Sequence, residues 1–169
     1  MASVLVQVAD AVTKLVNDHK PDSSYTTQRP DSTYCPNALR SYGDFILDIE
    51  KADELHIDVI PVSPLATELA TRGGIKYLAS IDILLRYKFK QNEKDNDTGR
   101  VDQSIVDDLV SLTELFSELF QDASHRRLPG YEAATYKSSM IRTVAPGDIL
   151  MQRMFTSRIR AVYSVHKEL

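Results

Sequence analysis

The sequence predicts an α+β fold: a single domain spanning 1–169, with a mainly antiparallel sheet and two amphipathic helices packed on one of its faces. Three observations predict it. Residues 77–89 place Tyr77, Ala79, Ile81, Ile83, Leu85, Tyr87 and Phe89 at every second position. Residues 155–165 repeat that pattern with Phe155, Ile159, Ala161, Tyr163 and Val165. Two other segments carry apolar residues at the three- and four-residue spacing of a helix.

The first helix is expected from Ser3, a capping residue, to the stop at Pro21. Val4, Val8, Val12, Leu15 and Val16 form its stripe, and Asp10, Lys14, Asn17 and Asp18 lie on other faces. Residues 22–42 are polar and broken by Pro30 and Pro36, and read as an extended arm or edge strand. Phe45-Ile-Leu-Asp-Ile adds a short apolar segment. Leu55, Ile57 and Val59 alternate with His56 and Asp58 in a half-buried strand that Pro61 and Pro64 are expected to stop. A turn or two of helix is expected between Leu65 and Arg72, closed by a hairpin turn at Gly73-Gly74.

The alternating run at 77–89 would extend about 45 Å, against the usual 17–20 Å or so. A strand that long must overhang its domain, bend at a bulge or pair with a neighbouring chain. Residues 91–100 form a polar, flexible linker. The second helix carries Ile105, Leu109, Leu112, Phe116, Leu119 and Phe120 on one stripe, with Asp107, Asp108, Glu114 and Glu118 mostly off it. Pro129-Gly130 turns the chain into a weaker strand at 131–144, and the strand at 155–165 follows. The order is α-β-β-α-β-β with an extra edge strand after the first helix, and strands joined without a helix pair antiparallel.

Composition sets limits on function. The 169 residues include 20 Lys and Arg against 24 Asp and Glu, a formal charge of −4 that gives no support to a general nucleic-acid or membrane-surface binder. Cys35 is the only cysteine, which precludes an internal disulfide and fits a reducing compartment. No apolar run reaches the roughly 20 residues a bilayer requires. The start of the chain lacks the basic region of a signal peptide, so a soluble protein made in the cytoplasm is expected.

The residues that could carry chemistry have plainer alternatives. His19, His56, His125 and His166 are far apart, without metal-ligand spacing. His56 beside Asp58 could be a base oriented by a carboxylate, or two polar residues on the open side of a strand. Cys35 could be a nucleophile or a small buried hydrophobe. Asp58 and Asp82 near Arg86 and Lys88 could hold magnesium in a nuclease, or form cross-strand ion pairs. Arg126, Arg127, Arg153, Arg158, Arg160 and Lys167 could meet phosphates, or the acidic helix of another copy. No catalytic residue, cofactor or metal site is expected. The expected subunit interface comprises Asp107, Asp108, Glu114, Glu118, Arg126, Arg127, Arg158 and Arg160.

Several segments, taken in order, are similar to those of the small tail-terminator and neck proteins of tailed bacteriophages. They are the Val8-Ala-Asp-Ala-Val helix, Arg29-Pro-Asp-Ser-Thr-Tyr-Cys-Pro, Ile57-Asp-Val-Ile-Pro-Val, and Arg72-Gly-Gly before the long strand. Near the end come Arg127-Leu-Pro-Gly-Tyr and Gln152-Arg-Met-Phe-Thr-Ser-Arg-Ile-Arg-Ala-Val-Tyr-Ser-Val. The resemblance implies a non-enzymatic virion protein, made in the host cytoplasm, that forms a homo-oligomeric ring, commonly a hexamer. Such a ring caps the tail tube and joins it to the head–tail connector, so tail tube and connector proteins are the implied partners, with DNA only as passing cargo. The chain departs from the family in its longer linker at 91–100 and in the arm before Cys35. The alternatives are a metal-dependent nucleic-acid-processing enzyme and a non-virion adaptor that binds by strand addition.

Overall fold

The computed structural model describes residues 3–20, 35–42, 55–70, 73–142 and 153–168, and the fold is α+β with two helices and a mostly antiparallel sheet. The elements are α1 (Val4–His19), β1 (Leu39–Arg40), β2 (His56–Ala70), β3 (Gly74–Lys88), α2 (Gln103–Gln121), a 3-10 turn (Ala123–His125), β4 (Arg127–Leu128), β5 (Tyr131–Arg142) and β6 (Met154–Glu168). They build one six-stranded sheet in the order β1-β2-β3-β6-β5-β4. Every pairing is antiparallel except that of β1 with β2.

The alternating segments become the two central strands. β3 and β6 pair without interruption from Gly74↔Glu168 to Lys88↔Met154, with Ile83 opposite Ile159. Ala79, Ile81, Ile83 and Leu85 of β3 and Ile159, Ala161, Tyr163 and Val165 of β6 are buried on one side. They share a single core cluster with Val8, Val12 and Leu15 of α1 and Leu112, Phe116 and Phe120 of α2. Tyr87, Phe89 and Phe155 form a smaller cluster with Ile105 and Leu109. Leu119 is only half buried, whereas Thr113 and Ser117 are buried in the α2 stripe. Thr113 donates to the Leu109 carbonyl and lies 2.7 Å from Ser157 Oγ, so that pair of hydroxyls is satisfied inside the core.

Several boundaries differ from the sequence expectation. β3 does not overhang, because β2 and β6 match its 15 residues and pair with it within the chain. Pro61 and Pro64 do not stop β2, and Leu65 begins no helix. The strand runs on to Ala70, with a register shift between Val62 and Ala66. Among the described residues β1 covers β2 only at Asp58 and Val59, so beyond them a missing N–H costs no described ladder bond on that edge. Ser3 precedes α1 but its side chain caps nothing. The Gln7 N–H bonds to the Ser3 carbonyl instead. The α2 cap is Asp102, which accepts from Ser104 N–H.

Gly73 and Gly130 both adopt φ of +83°, the left-handed backbone their hairpin turns require. Of the arm, residues 35–42 are described and are tied to α1. Asn17 donates to the Ala38 carbonyl and accepts from its N–H, and Arg40 pairs with Asp10 at 2.6 Å. The rest of the arm, the apolar segment at 45–49, and residues 143–152 beyond β5 lie outside the described residues. The linker at 91–100 folds back on itself. Asp95 accepts from the Asp97 and Thr98 N–H groups, and Asp95 N–H bonds to the Arg100 carbonyl.

Tyr163 is fully buried, yet its hydroxyl has no hydrogen-bond partner among the described residues, and burial pushes its pKa up. A buried unsatisfied hydroxyl costs roughly 1–3 kcal/mol. Tyr163→Phe should therefore raise stability by about 1 kcal/mol, readable as a higher midpoint in urea.

Candidate subunit-interaction surface

The odd-numbered side chains of β3 and β6 point into the core, so the even-numbered ones line the opposite face of the sheet. Asp82 stands there directly opposite Arg160, and the two form a bidentate pair, Nε to Oδ1 at 2.7 Å and Nη2 to Oδ2 at 2.8 Å. Asp82 raises the guanidinium pKa of Arg160 above its ordinary value, chiefly through the hydrogen bonds. Arg158 reaches the same carboxylate only at 3.9 Å and keeps 37% of its side chain exposed. Asp58 pairs diagonally across strands with Arg86 at 2.5 Å. Asp58 and Asp82 are therefore two cross-strand ion pairs on one sheet face.

One position on this face was missed in the sequence reading. Arg142 of β5 sits directly opposite Arg158 of β6, so two like charges face each other. Opposed like charges destabilise a strand pair. Asp82, the carboxylate that Arg158 reaches at 3.9 Å, is bound at two points by Arg160. Arg142 itself is exposed and has no ion-pair partner among the described residues. Beside it Met140 is 62% exposed and Ile141 38%. The signal was present in Met140-Ile-Arg, where alternation puts Met140 and Arg142 on one side of the strand.

The acidic residues belong to α2. Residues 103–121 contain Asp107, Asp108, Glu114 and Glu118 and no Lys or Arg. Asp107, Glu114 and Glu118 are exposed and make no ion pair among the described residues. They fall on one side of the helix over about 16 Å. Glu118 lies in the last turn, at the negative end of the helix dipole, where a cation would be stabilising and an anion is not. Asp108, half buried, lies about 100° round the helix from Asp107 and off this stripe.

The predicted interface residues thus divide into three places. Asp107, Asp108, Glu114 and Glu118 lie along α2. Arg158 and Arg160 lie on the sheet face turned away from the core. Arg126 and Arg127 are exposed at the chain's entry to β4. Arg126 borders an open cleft of about 510 Å³ with Phe120, Gln121, Thr135, Tyr136 and Lys137.

The remaining chemistry-bearing residues are engaged locally. Cys35 is buried, and burial pushes its thiol up to about 11, only partly offset by Lys20, so it is a protonated thiol at neutral pH. The sequence reading kept the histidines apart, but α1 and the 3-10 turn bring the rings of His19 and His125 to 4.8 Å, edge to face. Each ring uses Nδ1 toward a backbone carbonyl, Leu15 at 3.0 Å and Leu119 at 2.7 Å. Among the described residues no three His, Cys, Asp or Glu gather as a metal site, and no helix is long and apolar enough to cross a membrane.

No protein-family model matches the chain, and no curated protein matches it at a significant level.

Proposed function

We propose that this chain is a non-enzymatic structural subunit of a tailed bacteriophage. Six copies form a ring at the head–tail junction that caps the tail tube and joins it to the connector. Both helices lie against one face of the sheet, in the order α-β-β-α-β-β with β1 as the added edge strand, and the other face is left for assembly. The resemblance in the ordered segments supports the reading. The observation that carries it is the separation of two charged surfaces, the exposed carboxylates Asp107, Glu114 and Glu118 of α2 and the opposed Arg142 and Arg158 on the far face of the sheet. A ring needs heterologous contacts, in which one patch meets a different patch on the next copy. Self-complementary patches would instead close a dimer.

In this role DNA passes through the ring as cargo, and the protein resides in the virion after synthesis in the host cytoplasm. The metal-dependent alternative relies on Asp58 and Asp82, and both carboxylates are held by arginines. The test is the composition of purified particles. Mass spectrometry should find this chain in a few copies per particle, and images should place its density at the neck. Particles that are complete and infectious without it would remove the proposal.

A further inference from the structure

We infer that the contact between copies places the acidic stripe of α2 on one chain against the opposed pair Arg142 and Arg158 on the next. This inference rests on the self-assembly reading above and names the surface that would carry it. Three features lead to it. The stripe of Asp107, Glu114 and Glu118 is unpaired among the described residues, with Glu118 set against the helix dipole. Arg142 and Arg158 face each other across β5 and β6, and among the described residues the one carboxylate Arg158 reaches, Asp82 at 3.9 Å, is bound at two points by Arg160. Each surface lacks what the other supplies. They lie on opposite sides of the sheet, so a chain cannot satisfy its own stripe with its own arginines, and a second copy can.

Arg160 takes no part in this contact, because Asp82 already binds it at two points. The exposed Met140 shares the side of β5 that carries Arg142 and gives the contact an apolar element. Half-buried Leu115 and Leu119 border the acidic stripe from the other side.

The test uses two variants of the full chain, measured for thermal stability and for mass in solution. Arg142→Glu turns a like-charged pair into an opposite-charged one, so the single chain should melt at the same or a higher temperature. The double variant Glu114→Lys with Glu118→Lys places cations near the helix C-terminus and should also keep or gain stability. Each should nevertheless weaken association by about tenfold or more, and uniting the three substitutions in one chain should restore it. Association insensitive to either change, in a wild-type protein that does assemble, would overturn this interface and leave self-assembly standing. A wild-type chain that stays monomeric at every concentration would overturn both. Duplex DNA bound by the wild type and lost in Arg142→Glu, with no change in mass, would overturn the contact and assign the arginines to phosphate.

Discussion

Ile83→Asp is expected to leave no folded protein. Ile83 is fully buried at the centre of β3, between Val59 of β2 and Ile159 of β6 in register. A carboxylate there would lose its hydration among the apolar residues of the core cluster. The cost is several kcal/mol, against a typical domain stability of about 5–15 kcal/mol. Circular dichroism and limited proteolysis would show an unfolded, rapidly digested chain. Lys88→Glu, at the exposed end of the same strand, should fold normally. The contrast between these variants reads out the inward and outward alternation of β3. A wild-type melting curve for Ile83→Asp would mean that the face assignment is inverted.

The second large effect is expected at Asp82, which is 8% exposed. Removing its carboxylate in Asp82→Ala would leave Arg142, Arg158 and Arg160 together on adjacent strands without the carboxylate that Arg158 and Arg160 reach. Breaking a fully buried pair costs about 3–5 kcal/mol. The Arg160 side chain is one-third exposed, so water screens part of the loss and about 2–3 kcal/mol is expected. Urea unfolding would measure it. Added salt should recover part of the loss by screening the exposed arginines. Asp82→Ala combined with Arg160→Ala should cost less than the two single losses added together, because they share one interaction. Simple additivity would mean that Asp82 does not hold the arginines.

The sequence was most legible where one physical period ran unopposed. β3 and β6 could be read because burial on one side and polarity on the other leave a strict two-residue alternation. α1 and α2 could be read for the corresponding reason at helical spacing. The failures have identifiable causes. Pro61 and Pro64 argued for a strand end, yet a proline is harmful only where its N–H is needed, and that depends on neighbours the local sequence does not reveal. The length of β3 suggested pairing outside the chain because the true lengths of β2 and β6 were underestimated. β5 looked weak because its exposed residues follow no apolar period.

At the interaction surface the charges were visible but their pairing was not. Asp107, Glu114 and Glu118 could be assigned to one helix side from spacing alone. That Asp82 would neutralise Arg160 and leave Arg142 opposed to Arg158 depends on the register of three strands. The approach of His19 to His125 likewise joins residues more than a hundred positions apart in the chain.

The mass of the purified chain in solution tests the central claim most directly. Light scattering across a range of concentrations should give a closed assembly several times the 19.0 kDa of one chain, about 114 kDa for a ring of six, that falls apart as salt screens its charged contacts. A particle that remains at 19.0 kDa under every condition would contradict the account.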